Sequence, residues 1–205
     1  MHISHIATPE INEMYADVTG VILAGGRSRR MGQDKATLVV AGATLFTRTL
    51  TLMRRLFPRV IIAGDRPDLV QADLPCVTDI FPGSALGGIH SGLSAATTDW
   101  IFVSPCDLAF PDAELARFIL QHRDGYDVVV PRTPEGFEPV FALYHKRCLP
   151  AMERMLTLGN YRIYDLYDQL RVYYLDTEIL PDGWQRALLN LNSPEDLQRL
   201  DKERL

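Results

Sequence analysis

Val18-Thr19-Gly20-Val21-Ile22-Leu23-Ala24-Gly25-Gly26-Arg27-Ser28-Arg29-Arg30-Met31-Gly32-Gln33-Asp34-Lys35 joins a short apolar run to a segment dense in glycine and cations. The first part reads as a buried strand and the second as the loop at its end. Glycine accepts φ > 0 and lets backbone N–H groups approach an anion, while guanidinium forks and the Lys35 ammonium neutralise phosphate charge. That combination is a triphosphate cradle. It is not a Walker A loop, because Lys35 follows Asp34 rather than Gly and precedes Ala36 rather than Ser or Thr; nor is it the G-x-G-x-x-G dinucleotide pattern. Taken alone, two glycines and scattered arginines would fit a solvated strand-to-helix turn equally well.

Working outward, apolar runs recur at residues 18–23, 60–63, 100–104, 128–131, 140–143 and 172–175, with helix-length segments between them. Continuous runs rich in β-branched residues suit strands covered on both faces, as in parallel sheets. Residues 44–56 place Leu45, Phe46, Leu50, Leu52, Met53 and Leu56 at helical spacing, with Arg54 and Arg55 near the C-terminal end, where cations oppose the dipole. Pro111-Asp112-Ala113-Glu114 starts a second helix running to about His122. Residues 147–158 form a third, stopped by Gly159-Asn160, and Ser193-Pro194-Glu195-Asp196 caps a last one. The expected class is α/β, a single-domain, Rossmann-like three-layer sandwich with a mostly parallel central sheet. Residues 1–17 lack periodicity and read as a mobile or peripheral extension before a domain at 18–205. In open sheets of this kind ligands bind beyond the carboxyl ends of the strands, where the strand order reverses.

The 205 residues suffice for one domain with a substantial core, and 47% hydrophobic with 23% charged residues is ordinary globular composition. A net charge of −5 supplies no global attraction to nucleic acid or anionic membrane, so the basic loop is a local site for a small ligand. Cys76, Cys106 and Cys148 are scattered, form no C-x-x-C pair and are odd in number, which suits reduced thiols in a cytoplasmic protein better than a disulfide framework and argues against a zinc site. No run approaches the length of a spanning helix, and no signal-peptide h-region is present.

Three further segments carry chemistry. Ser104-Pro105-Cys106-Asp107 ends the third apolar run, which puts Asp107 on the same sheet edge as Gly25-Gly26 if the strands are parallel. Mg²⁺ takes one or two carboxylates with phosphate oxygens and waters, so a strand-end Asp could anchor it; it could equally cap the following helix. Asp79 precedes Leu86-Gly87-Gly88-Ile89-His90-Ser91-Gly92, whose small residues permit close approach to a flat base or ribose. Cys106 and His90 lack the partners of a nucleophile or base, and Met152, Met155, Leu156 and Leu158 read as core. Near the C-terminus, Asn190 and Asn192, two residues apart, point the same way on an extended segment.

The string from Leu23 to Lys35 resembles the nucleotidyltransferases that build activated sugars and cofactors. It is most similar to the molybdenum cofactor guanylyltransferase branch, whose pattern L-A-G-G-x-S-x-R-M-G-x-D-K is filled at every fixed position. Pro105-Cys106-Asp107 matches the family's P-C-D, and Asn190 to Leu197 matches its N-I-N-T-P-E-D-L with Leu191 and Ser193 as conservative changes. The resemblance spans most of the chain. It implies the nucleotide-diphospho-sugar transferase type of fold and transfer of GMP from GTP to the terminal phosphate of molybdenum-molybdopterin, with pyrophosphate released. It also implies Mg²⁺ on Asp107, catalytic roles for Lys35, Asp107 and Arg30, and nucleotide contacts from Leu23, Ala24, Gly25, Gly26, Lys35, Asp79, Gly87, Gly88 and Asp107. Asn190 and Asn192 would face the pterin substrate, although the same amides would also suit a polar helix entry. Partners implied are the two substrates and, transiently, other cofactor-biosynthesis proteins or acceptor molybdoenzymes, with no nucleic acid and no membrane. This chain departs from the pattern at Ser84-Ala85, where the family has Gly-Pro, and at Ala63-Gly64-Asp65-Arg66, where it often has an Asn touching the base. Cytidylyl or sugar-phosphate transfer on the same fold remains an alternative, weakened by Gly25-Gly26, since cytidylyl relatives tend to have Ala-Gly. A non-catalytic nucleotide-binding module is the other, weakened by the presence of both Lys35 and Asp107.

Overall fold

The computed structural model describes residues 14–25, 34–40, 42–69 and 73–191. In chain order the strands are β1 (Val18–Leu23), β2 (Val39–Val40), β3 (Ala43–Thr44), β4 (Val60–Ala63), β5 (Cys76–Val77), β6 (Trp100–Pro105), β7 (Val128–Thr133), β8 (Gly136–Phe137), β9 (Ala142–His145) and β10 (Val172–Asp176). The helices are α1 (Leu45–Leu56), α2 (Ala85–Ala95), α3 (Ala113–Gln121), α4 (Leu149–Thr157), α5 (Ile163–Tyr167) and α6 (Trp184–Ala187). The main sheet has the order β10-β7-β9-β6-β1-β4-β5, with β8 added on β7, while β2 and β3 form a separate hairpin. It is parallel except for β9, which runs antiparallel between β6 and β7, and the short β8.

Alternate residues of each buried strand enter opposite layers, as the pleat requires. Ile22, Phe102, Val129, Leu143 and Leu175 join α1, α3 and α6 on one face. Val21, Ile101, Val103, Val130 and Tyr144 join α2, α4 and α5 on the other. Met152, Met155 and Leu156 belong to this second layer, whereas Leu158, expected in the core, is 81% exposed because the helix ends there and turns it to solvent. Thr44 caps α1 by accepting from Thr47 N at 3.0 Å, and Asp112 caps α3 by accepting from Glu114 N and Leu115 N at 2.8 and 3.0 Å.

Several boundaries differ from the sequence reading. Pro111 lies outside α3, because the Asp112 carboxylate takes the capping position. The 147–158 segment divides into a 3₁₀ turn at Lys146–Cys148 followed by α4. The 140–143 run shifts by two residues to β9: Phe141 N donates to Glu138 O at 3.0 Å, so Val140 sits in a turn, and pairing with β6 starts at Ala142. That turn is where the chain reverses, which the apolar run alone does not reveal. The expectation of an extension before Val18 falls partly on residues 1–13, outside the described residues; Tyr15 N donates to Leu56 O at 2.8 Å. The last helix, from Ser193, also lies outside them.

Candidate active site at the β1–β6 edge

From β1 the chain steps to β4 and β5 on one side and then to β6 on the other, so the strand order reverses between β1 and β6. Loops leaving these two strands diverge at the carboxyl edge and leave a crevice there. In register, Leu23 faces Pro105 on one side and Ala63 on the other. Two backbone bonds extend the ladder past the strand ends, Cys106 N to Leu23 O at 3.1 Å and Ala24 N to Ala63 O at 3.0 Å. The loop after β1 is thereby held between the loops after β4 and β6.

Lys35 opens a 3₁₀ turn, Lys35–Thr37, whose N-cap is Asp34; Asp34 Oδ1 accepts from Ala36 N at 3.1 Å. The Lys35 ammonium donates to Asp107 Oδ2 at 3.0 Å, and the two side chains are only 17% and 21% exposed. Residues 72 positions apart therefore meet at the switch point. Asp34 is itself held by Arg66, which also holds Asp68.

Gly64 makes the narrow side of the crevice. Its φ is +134°, and a Cβ there would stand 2.6 Å from Gly25 N and 3.0 Å from Ala24 C. Only glycine fits this close approach. Asp79 lines the same region, since a Cβ on Gly25 would be 3.3 Å from Asp79 Oδ2. Asp79 Oδ1 is buried with no hydrogen-bond partner among the described residues. Burial raises the Asp79 carboxyl above its usual range. A buried acceptor left unsatisfied among the described residues has room for a further donor. Ser91 Oγ accepts from Ile80 N at 3.1 Å and so holds the Asp79 loop against α2.

Gly87 and Gly88 lie inside α2, both buried. A Cβ on Gly87 would overlap Phe81 O at 1.9 Å, and one on Gly88 would be 3.1 Å from Leu23 Cδ2 and 3.9 Å from Asp79 Oδ1. Their smallness lets α2 pack against the end of β1 and the Asp79 loop. Ser84, which stands where the resembled pattern has Gly, caps α2 by accepting from Gly87 N at 3.0 Å.

Asn190 reaches the same edge from the far end of the chain. It forms an antiparallel bridge with Leu108, and Leu191 N donates to Asp107 O at 3.4 Å. Asn190 Oδ1 is buried and unpartnered among the described residues. Gly26, Arg30 and Asn192 lie outside the described residues. Cys106 is no nucleophile here: burial, with Asp107 alongside, pushes its thiol up to about 12. His90 faces Glu153 on α4 at 3.4 Å and Phe81, away from any nucleophile.

Leu23, Ala24, Gly25, Lys35, Asp79, Gly88, Asp107 and Asn190 thus gather at one edge. The sequence reading passed over Gly64 as a steric device, Ser91, and above all Arg66. The signal for Arg66 was present: like Asp107, it is a charged residue within a few positions of the end of a β-branched run.

Among the described residues no group of three or more His, Cys, Asp or Glu could cage a metal, and no helix is long and apolar enough to cross a membrane. Residues 20–172 match the model of the MobA-like NTP transferase domain. A relative from Pelotomaculum thermopropionicum, named "Probable molybdenum cofactor guanylyltransferase", is 39% identical over 87% of this chain and 89% of its own length. The molybdenum cofactor guanylyltransferase of Vibrio cholerae is 36% identical over 89% of this chain and 90% of its own length. The crystal structure of molybdopterin-guanine dinucleotide biosynthesis protein A from Archaeoglobus fulgidus superposes with a TM-score of 0.78 at 22% identity, covering 91% of this chain and 98% of that one, and so shares its fold. With its glycine-rich loop, its strand-end aspartate and the length of these matches, the chain belongs to the MobA-like NTP transferase family.

Proposed function

We propose that this chain transfers GMP from GTP to the terminal phosphate of molybdenum-molybdopterin, releasing pyrophosphate and forming the guanine dinucleotide form of the cofactor. The observation that carries the reading is the Lys35–Asp107 pair at 3.0 Å across the β1–β6 switch point, on the edge where Cys106 N also bonds Leu23 O. It joins a phosphate-binding cation to a cation-binding carboxylate in one crevice. The relatives named as molybdenum cofactor guanylyltransferases supply the substrate class.

In this reaction an oxygen of the acceptor phosphate forms a bond to the α-phosphorus of GTP, while the bond from that phosphorus to the α–β bridging oxygen breaks and pyrophosphate takes the electron pair. The nucleophile is already ionised, so the protein has to align and neutralise rather than react covalently. The backbone amides from Gly25 onward would bind phosphate oxygens, with Arg30 alongside, since the Ala24 amide already donates to Ala63 O. Lys35 would follow the charge that builds up on the leaving pyrophosphate. Asp79, whose Oδ2 faces Gly25 and whose unsatisfied Oδ1 lies on the Gly88 side, would accept a hydrogen bond from the nucleoside. Gly87 and Gly88 would serve the nucleoside indirectly, by letting α2 close on Phe81 and Leu23 and so hold the Asp79 loop in place. Asn190 and Asn192 would bind the pterin substrate beside Asp107.

A single carboxylate at a strand end fits a hard divalent cation that draws its other ligands from phosphates and water, as Mg²⁺ does. Asp107 would hold it, and when bound it would neutralise triphosphate charge. A thermal-shift screen of GTP, CTP, ATP and UTP with Mg²⁺, followed by pyrophosphate release with molybdenum-molybdopterin, tests the reading. A nucleotide at 100 times its Kd should stabilise the protein by about 2.7 kcal/mol. GTP should be preferred in both assays, and a CTP preference would replace guanylyl by cytidylyl transfer.

A further inference from the structure

Arg66 lies in the turn that leaves β4, with its guanidinium divided between two carboxylates. Nε and Nη2 donate to Asp68 Oδ1 and Oδ2 at 2.9 and 2.7 Å, Nη1 donates to Asp34 Oδ1 at 3.2 Å, and Nη2 also reaches Asp34 Oδ2. Asp68 is two residues away and would by itself give the guanidinium a partner. Asp34 comes from 32 residues away and belongs to the phosphate-binding segment. Its carboxylate has a second task there, capping Ala36 N, while its carbonyl accepts from Thr37 Oγ1 and Thr37 N at 2.9 and 3.2 Å. Asp34 therefore defines the one turn that presents Lys35, and Lys35 meets Asp107 at 3.0 Å.

A continuous path thus crosses the three loops at the carboxyl edge: Arg66 from β4, Asp34 and Lys35 after β1, Asp107 after β6. Fork-to-fork pairing with a guanidinium restricts the plane of the Asp34 carboxylate as well as its position. The Arg66 side chain is only 16% exposed while that of Asp34 is 44% exposed, so the pair acts by fixing geometry more than by strength. We propose that Arg66 is a positioning residue for nucleotidyl transfer, acting through Asp34 to aim the Lys35 ammonium at the Asp107 end of the crevice. The role presupposes the guanylyl transfer proposed above, although the coupling of Arg66 to Lys35 belongs to the protein alone.

Two measurements on the full chain test it. In pyrophosphate release with GTP and molybdenum-molybdopterin, R66A should lower kcat roughly 10- to 100-fold, the range expected when a catalytic group is misplaced by about an ångström. R66K, which keeps the charge and loses the fork, should restore only part of it. In a K35A background R66A should cost little more, because the group it positions is gone. Equal costs in the two backgrounds, or wild-type kinetics in R66A, would overturn the proposal. The second measurement needs no substrate. In nitrogen-15-labelled protein the Nζ signal of Lys35, assigned by its loss in K35R, should move in R66A and in D34N alike. An unchanged Lys35 signal in variants that melt cooperatively overturns the coupling; if R66A does not fold, R66Q takes its place. Absence of transfer from any nucleotide by the wild-type chain, with the Lys35 signal still responding to R66A, would remove the reaction and leave the coupling standing.

Discussion

Lys35 Nζ and Asp107 Oδ2 are 3.0 Å apart, across the point where the sheet's strand order reverses. The pair ties the segment after β1 to the segment after β6, and each member balances the other's charge in a partly buried crevice. Its members also have separate tasks in the proposed reaction, one toward phosphate and one toward a cation. Substituting them one at a time should therefore change chemistry far more than stability.

Asp107→Asn keeps the shape and an oxygen for Lys35, so melting temperature should stay within a few degrees of wild type. Turnover should fall on the order of 100-fold or more, as for loss of one preorganised electrostatic contact at a reacting phosphate. The Mg²⁺ concentration needed for half-maximal rate should rise as well. Kinetics close to wild type would remove the metal assignment.

Lys35→Ala should weaken GTP binding several-fold and lower kcat by a larger factor, because the ammonium gains strength as negative charge moves to the leaving group. The comparison is Kd from isothermal titration against kcat from pyrophosphate release. A loss confined to Kd would make Lys35 a ground-state binder.

Gly64→Ala forces a Cβ to within 2.6 Å of Gly25 N in a left-handed conformation. Strain of about 1–3 kcal/mol is expected from the backbone alone, with a displaced Gly25 loop and weakened GTP binding in addition. Gly159→Ala shares a positive φ of 74° but meets nothing within 4 Å, so it should show the backbone cost without the binding defect. Equal GTP affinities in the two variants would contradict a close-approach role for Gly64.

Asp79→Asn should stabilise the protein at neutral pH. Burial raises this carboxyl from its ordinary 3.8, so the folded state holds its proton more tightly than the unfolded state. Its stabilising contribution is complete below 3.8 and is lost as pH rises through the folded value. The melting advantage of Asp79→Asn should therefore be present at pH 7 and vanish in acid below the ordinary carboxylate range. GTP affinity should fall in the same variant. A melting advantage that persists unchanged into acid would show that desolvation is not the cause.

Asn190→Asp places a carboxylate where a buried amide oxygen now sits, beside the Asp107 segment. An anion there should repel a phosphorylated pterin, raising its KM or lowering kcat while the Kd for GTP changes little. Asn192→Asp should follow the same pattern. Should titration show GTP binding lost in both variants with the fold intact, the tail would belong to the nucleotide half of the crevice.

By itself the sequence determined the layer architecture and the chemistry of the edge. The apolar runs at β1, β4, β6 and β7 are local signals, since a strand buried on both faces has to be continuously apolar; β10, a half-buried edge strand, shows through its two tyrosines and Leu175, and each of these runs is a strand within two residues of its expected end. The glycine-rich loop and Asp107 were legible for a related reason: a glycine or charge placed directly after a buried strand has few structural uses and lies where open sheets bind ligands. Long-range placement decided the rest. The reversal of β9 depends on a turn at Glu138–Phe141 and on pairing with β6 and β7, which an apolar run of the same composition would suit in either direction. The requirement for glycine at position 64 arises from Gly25, 39 positions earlier, and Arg66 acquires its role only because the end of β4 lies beside Asp34. A local pattern reports what a segment is able to be. Which charges meet across 32 or 72 residues is settled only when the sheet closes and brings three loop ends to one edge, because ion pairs and steric limits act over a few ångströms of space and carry no periodic trace along the chain.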